Sequence, residues 1–187
     1  LASLRLFYGY LKRAQGLPEN PTIGFSIEST RTRRTLPLSP THARRLITAS
    51  KVDPQWYAIV LLILTAGLKQ DELLQLRWSA VTFTGDSEAS IAIAGARPGA
   101  VSARSLRLPE PTAGALWRLK LHSLSEDDDP VIRLSARGVS YAISQCAARA
   151  RIAHLSVTPQ RLRDTFAVSL LEALTAREAD EARALSR

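Results

Sequence analysis

Apolar and polar positions along the chain alternate with two different periods. "LASLRLFYGYLKRAQG" places Leu4, Phe7, Tyr8 and Leu11 at helical spacing. Gly16 ends that pattern, with Pro18 and Pro21 beyond it. From Pro18 to Pro37 no period is visible, and "STRTRRT" reads as a basic, polar linker. Ser39-Pro40 then signals a helix start, with serine as the cap and proline in the first turn, followed by amphipathic "THARRLITAS". "PQWYAIVLLILTAG" is apolar nearly all round and predicts a buried central helix broken at Gly67. "DELLQLRW" predicts another helix.

The period then shortens. "AVTFT", "ASIAIAG" and "ARSLRLP" alternate and are separated by Gly, Asp and Pro, as three short antiparallel strands require. Helical spacing returns in "PTAGALWRLKLHSL". The acidic "SEDDDP" reads as a solvated turn without calcium-loop spacing. "SARGVSYAISQCAARARI" is expected as a helix capped by Ser135. "TPQRLRDTFAVSLLEAL" is expected as another, capped by Thr158 with Pro159 in its first turn. Thr175 to Glu178, "TARE", predicts a capping box that starts a last helix. The fold class is therefore mainly α with a small three-stranded antiparallel sheet (α+β).

The 187 residues suffice for one good core and a small appendage. Residues 1–25 are expected to belong to an upstream unit and the start of a linker, 26–38 to a basic linker, and 39–187 to the main domain. A start at Leu1 rather than methionine gives the expectation of a piece of a longer protein. The longest apolar run, "IVLLILTAGL", falls far short of the ~20 residues a spanning helix needs. The first residues lack the order of a signal peptide. A single cysteine, Cys146, excludes an internal disulfide framework and a cysteine-built zinc site. A cytoplasmic, bacterial-type, nucleoid-associated protein without a membrane partner fits best, and no cofactor or metal is expected. The formal charge of +8 and pI near 10.4 point to a polyanion, nucleic acid ahead of anionic membrane, or to a basic solvated surface.

Two segments carry candidate chemistry: "TAGLKQDELLQLRW" and "TPQRLRDTFA". Their order, with a small sheet between them, resembles the catalytic domain of the tyrosine recombinase (phage integrase) family, in which they read roughly T-G-L-R-x-x-E-L-x-x-L-x-W and T-P-H-x-L-R-H-T-F-A. "LRLFYGYLKRAQGLPENP" also resembles the last helix of that family's core-binding domain and its linker. The resemblance covers almost the whole chain, and the two motifs together are specific. It implies a DNA breakage-and-rejoining domain. A tyrosine attacks a phosphodiester, and arginine forks stabilise charge on the phosphate oxygens.

Carried over residue by residue, the pattern puts Lys69 at the first arginine position and Glu72 at its acidic neighbour. Arg97, in the turn of the sheet, lies near the lysine position. Gln160 replaces the motif histidine, Arg163 matches the second arginine, and Asp164 stands where histidine is common. Arg187 falls at the next histidine or tryptophan position, and the nucleophilic tyrosine would follow beyond it. Tyr8, Tyr10, Tyr57 and Tyr141 read as core or interface aromatics. Lys69 keeps charge but loses the bidentate fork, and Gln160 cannot titrate near neutrality. The expectation is a degenerate domain that no longer cleaves DNA.

Phosphate contact does not need the cleaving set. Arg31, Arg33 and Arg34 in the linker, Arg44 and Arg45 on the first core helix, Arg104 and Arg107 on the third strand, and Arg161 are the candidate duplex-DNA contacts. Arg133, Arg137, Arg149, Arg151, Arg161 and Arg163 lie in a stretch with no acidic residue. The resemblance implies recombinase-like protomers in a tetramer if the chain continues, and a monomer or weak assembly as it stands. Two alternatives stay open: an active integrase or transposase fragment whose tyrosine lies beyond residue 187, and a protein-interaction module on the same scaffold.

Overall fold

The computed structural model describes residues 2–15, 20–21, 36–85, 87–93 and 104–185; side-chain placements in it cover 7–14 of the first helix and run to 178 at the end of the last. The chain divides into two units, Leu1–Thr35 and Leu36–Arg187. The first contains helix α1, Ala2–Gln15, where Phe7 and Tyr8 meet edge-on with ring centroids 5.5 Å apart.

The second unit opens at Leu36, and its first buried residue is Leu38. It lies on the linker side of the expected boundary, yet its side chain is buried and its N–H donates to Thr165 Oγ1 at 2.9 Å. Helix α2, Pro40–Ser50, starts as its sequence requires: Ser39 Oγ accepts the His42 N–H at 3.3 Å, and Pro40 occupies the first turn, where its missing N–H costs nothing. Helix α3, Pro54–Ala66, repeats the device with Asp53, whose Oδ1 accepts the Trp56 N–H at 2.9 Å. Ala58 to Ile63 are all buried, because α3 is the central rod against which α2, α5, α6 and α7 pack. Gly67 ends it in the left-handed conformation at φ 66°, a backbone state that costs any residue with a Cβ. Helix α4, Gln70–Gln75, follows at once and is shorter than its apolar pattern suggested. A 3₁₀ turn, Trp78–Ala80, continues from it.

Strands β1 (Val81–Phe83), β2 (Ala89–Ile93) and β3 (Arg104–Arg107) form the expected antiparallel sheet in the order β1-β2-β3. Val81 pairs with Ile91, and Ile91 with Leu106. The alternation fixes the register: Ala89, Ile91 and Ile93 face the core while Ala92 faces out. Helix α5, Glu110–Ser123, lies against α3, where the Thr65 and Thr112 hydroxyls hydrogen-bond at 2.8 Å and satisfy each other. Trp78, Phe83 and Trp117 form an aromatic cluster beside the sheet, with Phe83 between the two indoles.

The acidic turn is exposed at Glu126, Asp127 and Asp128, as expected, but it is also laced to the chain before the sheet. Trp78 N–H donates to Asp129 O at 3.1 Å, and Ser79 N–H to Asp127 O at 2.7 Å. Helix α6, Ala136–Arg149, is capped by Ser135, and the buried Cys146 sits on its inner face. Helix α7, Pro159–Leu185, corrects one expectation. No new helix starts at Thr175. Its hydroxyl bonds back to the Leu171 and Glu172 carbonyls at 3.1 and 3.0 Å, so it decorates a continuous helix instead of capping one. No glycine or proline interrupts the run, and most of its residues are good helix formers.

Candidate functional site

The site is built on the turn that joins α3 to α4. Gly67 must be a glycine for two reasons. Its φ is positive, and a Cβ there would lie 2.3 Å from Phe166 Cε1, inside the van der Waals envelope of the ring. Phe166, on α7, therefore closes over the turn. On the preceding turn of α7, Arg163 donates Nε–H to the Gly67 carbonyl at 3.3 Å. The two motifs of the sequence, far apart along the chain, thus meet through Arg163, Phe166 and Gly67.

Lys69 is the N-cap residue of α4, exposed, and no hydrogen bond or ion pair of its ammonium group is found among the described residues. A lysine cannot accept a hydrogen bond, so its side chain does not cap the helix. The cap is supplied in the opposite direction: Glu72, at the third helical position, accepts the Lys69 backbone N–H on Oε2 at 2.9 Å. The same oxygen takes Arg104 Nη2 at 2.9 Å, tying β3 to the start of α4. Burial pushes the Glu72 carboxyl up, but the Lys69 N–H, the Arg104 guanidinium and the Lys69 charge together outweigh it. The net result holds the group below its ordinary 4.5. Gln70 reaches sideways and donates Nε2–H to Ala136 O at 2.7 Å, fixing the beginning of α6 against the turn.

The start of α7 supplies the other half. Thr158 Oγ1 accepts the Arg161 N–H at 3.2 Å, as the cap expectation required. Gln160 Nε2 donates to Asp164 Oδ1 at 2.7 Å, so the two residues that stand where histidines are common satisfy each other. Thr165 is buried and accepts from Leu38. Arg161 is turned inward: Nη1 donates to the Leu155 carbonyl, and Nε is buried with no partner found.

Of the residues singled out in the sequence, Lys69, Glu72, Gln160, Arg163, Asp164 and Arg104 fall on this turn, the strand tied to it, or the first turns of α7. Arg97, Arg187, Arg31, Arg33 and Arg34 lie outside the described residues. Arg107 is exposed on β3 and pairs with Glu88 at 2.9 Å. Arg44 and Arg45 are exposed on α2. Tyr10 and Tyr141 are exposed, not core; Tyr141 stands edge-on to Trp56 at 6.5 Å. Tyr8 and Tyr57 are half-buried. His122 and His154 are exposed and His42 is half-buried. Among the described residues no His, Cys, Asp and Glu cluster could hold a metal ion, and no helix is long and apolar enough to cross a membrane.

Sequence reasoning did not find the Phe166–Gly67 clamp, the Gln70–Ala136 link or the role of Asp53. The Asp53 signal was present, because Asp-Pro before an apolar run repeats Ser39-Pro40. The clamp and the link are long-range contacts and leave no local mark.

No family model and no curated protein sequence matches the chain. Solved structures do. The crystal structure of XerA recombinase is similar at a TM-score of 0.62 and 26% identity, over 91% of this chain and 58% of that one. The integrase from mycobacterium phage Brujita is similar in fold at a TM-score of 0.54 and 18% identity, over 92% of this chain and 56% of that one. The chain spans less than two thirds of either protein. It carries a tyrosine-recombinase-like catalytic domain: a mostly helical body with one three-stranded antiparallel sheet.

Proposed function

We infer that this domain binds double-stranded DNA through its phosphate backbone and no longer cuts it. The observation that carries this reading is the meeting of Arg163 with the Gly67–Lys69 turn. With Arg163 Nε held by the Gly67 carbonyl, its two terminal nitrogens remain for a phosphate oxygen, and the exposed Lys69, two residues from Gly67, offers a second cation. Arg163 is placed by helix α7 and Lys69 by the start of α4.

The same geometry argues against cleavage. A phosphoryl transfer needs fixed donors aimed at the developing charge and a group that moves a proton. Lys69 offers a flexible point charge in place of a planar fork. Gln160 has no titratable proton, and its amide is engaged by Asp164. Asp164, held by Gln160, puts a carboxylate where the resemblance has a histidine.

The test uses a labelled random duplex and, in parallel, a nicked suicide duplex that traps a phosphotyrosyl link. Binding that weakens steeply with salt, without a covalent adduct, is the expected result. An adduct would replace this reading with an active strand transferase. No binding at low salt would leave a protein-interaction module as the better account. One observation favours such a surface: Val168, Leu170, Leu171 and Leu174 are exposed along α7.

A further inference from the structure

A groove of about 600 Å³ opens between α2 and the C-terminal end of α6. Four guanidinium groups line it: Arg44 and Arg45 from α2, Arg149 from the last turn of α6, and Arg151 just beyond. Thr41 and Thr48 add hydroxyls, and among the described residues no carboxylate lines the groove. All four arginines are exposed, and none makes an ion pair with a described carboxylate. Elsewhere in the domain Arg104, Arg107, Lys120 and Arg133 each hold a carboxylate at 2.9 Å.

Arg151 makes the arrangement harder to read as an idle basic surface. It sits at φ 57°, in the left-handed conformation that closes α6. Its N–H donates to Ala148 O at 3.0 Å, and the Ile152 N–H to Ala147 O at 2.9 Å. Glycine is the usual residue there, because a Cβ strains the left-handed conformation. The strained position presents a guanidinium to a concavity that already holds three like charges. Both features disfavour the free domain, and an anionic ligand relieves the second.

We propose that this groove is a second phosphate-backbone contact for nucleic acid, separate from the Lys69–Arg163 site; it rests on the DNA-binding reading above. The ligand class follows from the donors. Four forked cations with two hydroxyls and no base-reading amide suit successive phosphodiesters of an extended chain. The groove stands at the far end of α6 from the candidate site. Gln70 holds the Ala136 end, and 14 residues of helix separate the ends by about 20 Å.

Binding of the full chain to a random 30-base-pair duplex across a salt series tests the proposal. R149A/R151A is compared with K51A/R118A, which removes two cations that line a different pocket. The groove pair is expected to lower the log–log salt slope by about 2, at roughly 0.9 per phosphate contact, and the control pair by much less. R151G separates ligand contact from folding: it should lower the slope by about 1 while raising the melting temperature, since glycine fits φ 57° without strain. Equal losses in both pairs, or an R151G variant that binds like the parent chain, would overturn the groove while leaving DNA binding intact. A parent chain that does not bind the duplex would instead remove the DNA-binding reading and the groove with it.

Discussion

Arg163 Nε and the Gly67 carbonyl meet at 3.3 Å across a separation of 96 positions. Three residues after Arg163, the ring of Phe166 occupies the space a Cβ on Gly67 would need. This contact joins the turn that carries Lys69 to the helix that carries Gln160 and Asp164. It makes one surface of two distant motifs, and the consequences can be measured.

Gly67→Ala meets both the positive φ and the Phe166 ring. Backbone strain and overpacking together should destabilise the domain by roughly 2–4 kcal/mol. Urea denaturation would show this as a lower midpoint at unchanged slope. Adding Phe166→Leu should recover part of the loss, because the clash is eased while the backbone strain remains.

Glu72 gives a pH dependence with a definite sign. Its carboxyl titrates below 4.5 in the folded domain, held down by the Lys69 N–H and Arg104 against the upward push of burial. The unfolded chain binds that proton first as pH falls. The stabilisation is therefore present above about pH 4.5 and is lost as pH drops through the folded value. Denaturation between pH 3 and 6 should show the parent losing stability over that window more steeply than Glu72→Gln.

Cys146 is buried, and burial raises its thiol to about 11, against a lowering by the nearby Arg149. Very little thiolate exists at pH 8, and solvent cannot reach it. A disulfide-exchange reagent should label the native protein only as fast as α6 opens, and should react at once in denaturant. Rapid labelling of the folded protein would contradict the buried placement.

The sequence read the helices and the sheet well where local chemistry decides them. Ser39-Pro40, Ser135 and Thr158-Pro159 announce helix starts, Gly67 announces a stop, and Ala89, Ile91 and Ile93 fix the face of β2. It misread Thr175, because a threonine three residues before a glutamate also suits the middle of a helix. It saw Lys69, Gln160 and Arg163 through motif order but not how they are held, since Phe166 on Gly67 and Gln70 on Ala136 O depend on tertiary packing. Arg161 shows the limit for charge: as a letter it joins a basic run, while in the fold its Nη1 serves the Leu155 carbonyl.

Lys69→Ala tests the central claim most directly. Its side chain is exposed and makes no hydrogen bond or ion pair among the described residues, and the start of α4 uses its backbone N–H and carbonyl, so removing the ammonium leaves the turn's hydrogen bonds in place; Arg163, which also holds Gly67, would not separate the two effects. In a salt series with duplex DNA, the account predicts unchanged melting temperature, weaker binding and a slope reduced by about 1. A variant that binds with the parent's affinity and slope would show that no phosphate rests on this turn, and the proposed site would be wrong.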